Sequence, residues 1–83
     1  MIKILFFAKA KDYTKCDTLL IEHTINMDLN DIRNEIQERF QELKQSKVLE
    51  TCGWAINLEY VDDFRRIIND QDEIAIIPPV SGG

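Results

Sequence analysis

The sequence predicts an α+β fold, with one main helix packed across a mixed sheet of four or five strands. Two observations carry that reading. Leu29, Ile32, Ile36, Phe40 and Leu43 recur at spacings of 3, 4, 4 and 3, which aligns them on one face of a helix. Residues 2–7 and 73–77, near the two ends of the chain, are runs of β-branched and other apolar side chains that suit strands. At 83 residues the chain is one domain. The expected division is a folded body over residues 1–77 and an extended end over residues 78–83.

Residues 2–7 give the first strand, Ile-Lys-Ile-Leu-Phe-Phe. Residues 8–17 are polar and charged and read as a loop. Residues 18–25 read as a second strand, able to form a hairpin with the first, although no Asn-Gly or Asp-Gly pair marks the turn. Asp28 then reads as a helix N-cap with Asp31 at the N3 position, and the helix runs about four turns, through Leu43. Its solvated face carries Arg33, Glu35, Glu38, Arg39 and Glu42, with Glu35 and Arg39 in the favoured i,i+4 order. Residues 44–51 fit no single element. Residues 52–58 read as a strand with Trp54 and Ile56 on one side, and residues 59–61 as its continuation or a hairpin return. Asp62-Asp63 and residues 69–72 read as turns, with Phe64, Ile67 and Ile68 as apolar anchors between them. The near-continuous apolar run of residues 73–77 suits a central strand buried on both faces. Pro78-Pro79 ends it, because proline has no N–H for the ladder.

Composition narrows the function. Hydrophobic residues make up 45% and charged residues 30%, a globular balance. Ten Lys and Arg against fifteen Asp and Glu leave a net charge of −5, which argues against nucleic acid as the main partner. The charge is uneven. Residues 1–15 hold Lys3, Lys9, Lys11 and Lys15 against Asp12, or +3, while residues 16–83 sum to −8, with no basic residue after Arg66. Most of this is ordinary solubility; the sharper reading is an acidic face that steers toward a basic partner. No apolar run reaches the roughly 20 residues that cross a bilayer, and the start lacks a small-residue cleavage site. The expected location is therefore cytoplasmic, with no membrane partner. A body this small has little room for a deep pocket, so a subunit, carrier or binding module is favoured.

Conventional catalytic constellations are missing. His23 stands alone in the expected second strand, with no nucleophile to activate. Cys16 and Cys52 are too far apart for a C-x-x-C motif and read as reduced, inert thiols, so no metal site is expected. Asp62-Asp63 reads as a turn rather than an acid–base pair.

The informative feature is the ending Ile77-Pro78-Pro79-Val80-Ser81-Gly82-Gly83. The two prolines hold φ near about −65° and extend the chain as it leaves the sheet. Val80 is one apolar anchor. Gly82 and Gly83 lack a Cβ, so their backbone can enter a channel too narrow for other residues. Residues 80–83 span at most about 13–14 Å, enough to place the terminal carboxylate in a neighbouring protein's pocket. The plain alternative is a frayed terminus. A carboxylate is a poor electrophile and needs activation, for example as an acyl-adenylate, before sulfur or nitrogen can replace the leaving group.

Five segments together resemble the small subunits of molybdopterin synthase, which are ubiquitin-like sulfur carriers. These are Ile2-Lys3-Ile4-Leu5-Phe6-Phe7-Ala8, Asp28-Leu29-x-x-Ile32, Ala55-Ile56-Asn57, Asp70-Gln71-Asp72-Glu73-Ile74-Ala75 and the ending from Pro78 to Gly83. The resemblance covers nearly the whole chain, and its last motif is the specific one. Gln71 departs from it by standing where the family usually has glycine, at a position expected to require φ > 0, and the loop after Ala8 lacks a glycine often found there.

The resemblance implies a ubiquitin-like β-grasp, with the first and last strands parallel and adjacent. It implies that an E1-like adenylating enzyme consumes ATP to activate Gly83, that a sulfur donor protein converts the adenylate to a thiocarboxylate, and that the large subunit of molybdopterin synthase accepts the tail. There the sulfur passes to cyclic pyranopterin monophosphate to form molybdopterin. Gly83 is then the transfer residue, Gly82, Ser81 and Val80 thread the pocket, and Pro79, Pro78 and Ile77 sit at its mouth, with Phe7 sharing the docking surface. No cofactor is expected to be permanently bound, and the chain is a cosubstrate rather than a catalyst on its own. Cationic groups for the substrate are expected from the partner, since the sequence places none near the tail. The alternatives are a carrier for thiazole or tRNA thiolation, a ubiquitin-like protein modifier, and an interaction module with an idle tail.

Overall fold

The computed structural model describes residues 1–79, so the expectations for Val80, Ser81, Gly82 and Gly83 lie outside the described residues. The elements are β1 (Ile2–Phe6), α1 (Ala8–Thr14), β2 (Thr18–Ile21), α2 (Leu29–Arg39), α3 (Gln41–Ser46), a 3-10 helix (Val48–Thr51), β3 (Gly53–Ile56), β4 (Glu59–Val61) and β5 (Glu73–Ile77). The strands form one sheet in the order β2-β1-β5-β3-β4. β1 and β5 pair parallel, with Ile4 opposite Ile74 and Phe6 opposite Ile76, and the other neighbours are antiparallel. A parallel pair of terminal strands at the sheet centre with a helix packed across one face is the β-grasp.

The helix start follows the sequence closely. Asp28 caps α2 in a reciprocal box: its carboxylate accepts from the Asp31 N–H at 2.9 Å, and the Asp31 carboxylate accepts from the Asp28 N–H at 3.0 Å. Leu29, Ile32 and Ile36 are fully buried against Ile2, Ile4 and Phe6 of β1, Ile74 and Ile76 of β5, and Trp54 and Ile56 of β3. Glu35 and Arg39 form the expected surface pair at 3.5 Å.

The single four-turn helix is a correction. α2 stops at Phe40, whose φ of −126° and ψ of 83° leave the helical region, and α3 restarts at Gln41. Phe40 packs edge-on to Phe6, with ring centroids 6.1 Å apart, and the Gln41 amide donates to the Glu38 carbonyl at 3.0 Å at the end of α2. Leu43 is still fully buried, so the apolar stripe was read correctly although two helices carry it.

Other elements differ from expectation for identifiable reasons. Residues 8–14 are a helix, not a loop; Ala8, Lys9, Ala10 and Lys11 are good helix formers, but the buried face is only Ala10 and Thr14, too small to show as a stripe. Lys15, at φ 59°, ends it in the left-handed region. The second strand stops at Ile21, so His23 is not a strand residue; its Nε2 instead donates to the Ile68 carbonyl at 3.0 Å, tying two loops. Residues 52–58 hold only the four-residue β3, because Asn57 and Leu58, at φ 50° and 70°, form the two-residue turn into β4. Asn57 also fixes that turn to β5, its side-chain oxygen accepting from the Glu73 N–H at 3.0 Å. Ile68 is buried as an anchor, but Ile67 is half exposed, paired only through a bridge to Asp28. β5 is central, yet only Ile74 and Ile76 face the helices, so burial on both faces does not hold. Gln71 does adopt φ 72°, as the missing glycine implied.

Candidate functional site

Alternation along β1 sends Ile2, Ile4 and Phe6 toward the helices and leaves Lys3 and Leu5 on the opposite face. On β5 the same rule leaves Glu73, Ala75 and Ile77 there. No helix covers this second face among the described residues. Because Phe6 lies opposite Ile76 in a parallel ladder, the chain continues into Phe7 beside Ile77 at the same end of the sheet. Leu5, Phe7, Ala55, Leu58, Tyr60, Ala75 and Ile77, with Glu73 as the one charged residue, line one shallow, mostly apolar depression of about 290 Å³ on the open face. Phe7 is 44% exposed, Tyr60 76% and Leu58 93%. Gly53, paired with Ile77, adds no side chain where a Cβ would sit 3.9 Å from the Ile77 Cβ, so Ile77 keeps that flank open.

Of the three docking residues expected from the sequence, Phe7 and Ile77 are therefore brought together, and Val80 lies outside the described residues. Pro78 is half-buried and Pro79 exposed, and both border a groove of about 510 Å³ lined also by Phe7, Lys9, Lys47, Val48 and Cys52. Lys9 and Lys47 correct the expectation that no cationic group lies near the tail. They are distant in sequence, but α1 and the turn after α3 carry them to its root. The expected threading residues Val80, Ser81, Gly82 and Gly83 lie outside the described residues. Leu5, Leu58, Tyr60 and Ala75 were not singled out in the sequence. Strict alternation along β1 and β5 was the signal that could have found Leu5 and Ala75; Tyr60 needed the β3–β4 pairing.

The remaining candidates carry structural roles. The Cys52 thiol donates to the Val48 carbonyl at 3.4 Å, and burial pushes its pKa above the ordinary value, which disfavours the nucleophilic thiolate. Cys16 is half-buried, and among the described residues no group of three His, Cys, Asp or Glu side chains gathers as a metal site. Asp63 accepts from the Arg65 N–H at 3.0 Å; that bond, then the Arg65 side chain, holds its carboxyl below the usual range. This is an Asx turn of the kind expected for Asp62-Asp63. No described helix is long and apolar enough to cross a membrane.

Residues 4–83 match the model of the ThiS family. The molybdopterin synthase sulfur carrier subunit of Dictyostelium discoideum is 37% identical over 83 residues, covering 98% of this chain and 94% of that one. That of Phaeosphaeria nodorum is 36% identical over 87 residues, covering 96% and 88%. The chain belongs to the ThiS family. Among solved structures, a chain of the protein–protein complex of subunits 1 and 2 of the molybdopterin-converting factor from Helicobacter pylori is similar, at 29% identity and a TM-score of 0.70, covering 99% of this chain and 97% of that one. The family expected from the Phe6-Phe7-Ala8 opening and the Pro-Pro-Val-Ser-Gly-Gly ending is the family found, and the parallel β1–β5 pairing brings Phe7 and Ile77 to one end of the sheet.

Proposed function

We propose that this ThiS-family chain is the sulfur carrier subunit of a molybdopterin synthase, with Gly83 as the transfer residue. The observation that carries the reading is the route of β5. The central strand ends between the open apolar face and the lysine-flanked groove, so the last residues of the sequence begin where a partner protein would dock. In this reading a large subunit covers Phe7, Tyr60 and Ile77, Pro78 and Pro79 sit at the mouth of its pocket, and Val80, Ser81, Gly82 and Gly83 thread it.

The chain's own chemistry is confined to the terminal carboxylate. An E1-like enzyme joins the Gly83 carboxylate to the AMP part of ATP, releasing pyrophosphate. Sulfide-level sulfur supplied by a donor protein then attacks the acyl carbon, AMP leaves with the electron pair of the C–O bond, and a thiocarboxylate results. Inside the large subunit its sulfur bonds to cyclic pyranopterin monophosphate, and water cleaves the acyl C–S bond to return Gly83 to the carboxylate. Glycine suits this work because its acyl carbon is unhindered and its backbone fits a narrow channel. ATP belongs to the activating enzyme, and no permanently bound cofactor enters the scheme. In this reading the work is done in the cytoplasm.

Intact mass spectrometry of the chain purified from its own cells tests the reading. The expected result is a species in which one oxygen is replaced by sulfur, mapped to Gly83. A plain carboxylate that persists after incubation with ATP, an E1-like enzyme and a sulfur donor overturns it.

A further inference from the structure

We propose that the groove beside Pro78 and Pro79 receives an acidic segment of the large subunit, so that the tail root is gripped from two sides. This rests on the sulfur-carrier reading and adds to it a second contact surface of opposite character to the apolar face.

Charge is the first argument. The chain has fifteen acidic residues to ten basic ones, yet the groove lining contains Lys9 and Lys47 and no carboxylate. Neither lysine joins an ion pair among the described residues. Position is the second. Lys47 is held in the left-handed region at φ 61° between α3 and the 3-10 helix, with its N–H bonded to the Lys44 carbonyl at 3.3 Å. Lys9 projects from α1, which is pinned by buried Ala10. Two cations are thus set on the rim by secondary structure rather than by a free loop. Continuity is the third. Phe7 lines both the apolar depression and the groove, and the two prolines form a wall of the groove. A protein that seats on the apolar face and reaches Pro78 and Pro79 meets the wall of the groove that Lys9 and Lys47 also line. The complement to two unpaired lysines above half-buried Val48 and Cys52 is a carboxylate-bearing segment.

The test is the affinity of the full chain for its large subunit by calorimetry, at about 50 mM and 300 mM salt, where screening differs strongly. K9E/K47E is compared with R65E/R66E, which makes the same change in net charge on exposed residues that do not line the groove. Thermal melts confirm that each variant is folded; if K9E/K47E does not fold, K9Q/K47Q and the matched control R65Q/R66Q replace the two variants, with a loss of about threefold expected for the first and no loss for the second. The expected result is a loss of at least about tenfold for the groove pair at low salt, a flatter salt dependence, and less than about threefold for the control. Equal losses in the two variants would mean that only overall charge matters, and would overturn the proposal. Unchanged affinity overturns it as well. So does tighter binding, the outcome expected if the chain's own terminal carboxylate occupied the groove. A parent chain that does not bind the large subunit removes the sulfur-carrier reading along with the proposal; a parent that binds without regard to the groove removes the proposal alone.

Discussion

Ile74 and Ile77 sit three residues apart on one strand and belong to different problems. Ile74 faces the helices and is fully buried among Ile4, Ile32 and Ile56. Ile77 faces the side that no described helix covers, half-exposed beside Phe7. The first face must be apolar, because the body has no other core to stabilise it. The second has no such requirement. An antiparallel or mixed sheet with one solvated side ordinarily carries polar residues there. Under the proposed function, leucine, phenylalanine, tyrosine and isoleucine on that side are the surface a docked large subunit would cover. The contrast separates residues that fold the domain from residues that use it.

The sharpest way to break the comparison is to substitute one residue from each face. Ile74→Ala removes buried methyl groups and leaves a cavity, and should cost about 2–5 kcal/mol in a urea titration. Ile77→Asp should cost less than about 1 kcal/mol of folding stability, since its side chain can reach water. The same substitution should weaken binding to the large subunit at least about tenfold, because a carboxylate would be desolvated in an apolar contact. If Ile77→Asp unfolds the domain as readily as Ile74→Ala does, the two faces do not divide the labour. If it binds as tightly as the parent, the docking face is elsewhere.

How much of this was visible in the sequence follows the same division. The core face was legible because its residues are large and periodic: Leu29, Ile32, Ile36 and Leu43 announced a helix face even though Phe40 interrupts it. The cap at Asp28 was legible because two carboxylates three residues apart satisfy two N–H groups by local geometry alone. α1 was not, because Ala10 and Thr14 are too small to mark a buried stripe and lysines dominate the segment. The tail motif was legible as a string, and Phe7 and Ile77 could be paired through the resemblance. The groove could not be read at all. Lys9, Lys47 and Pro78 are far apart along the chain, and only the parallel β1–β5 pairing and the α3 turn bring them together.

Leu58 sharpens the comparison further, with the smallest expected effect. It is 93% exposed at φ 70°, in a two-residue turn where glycine is the favoured residue. A leucine there contributes nothing to the core and bears the steric cost of the left-handed region. Its position at the edge of the apolar depression supplies the reason to keep it. Leu58→Gly should therefore move stability and binding in opposite directions. Relief of strain, offset by glycine's greater freedom in the unfolded chain, should raise stability by about 0.5–1 kcal/mol. Loss of the side chain should weaken large-subunit binding by about threefold. Paired urea and calorimetric titrations read both numbers from one preparation. A variant that gains stability and binds unchanged would confine the docking face to Phe7, Tyr60 and Ile77, whereas one that loses stability would show that the turn depends on leucine for packing that its exposure does not reveal.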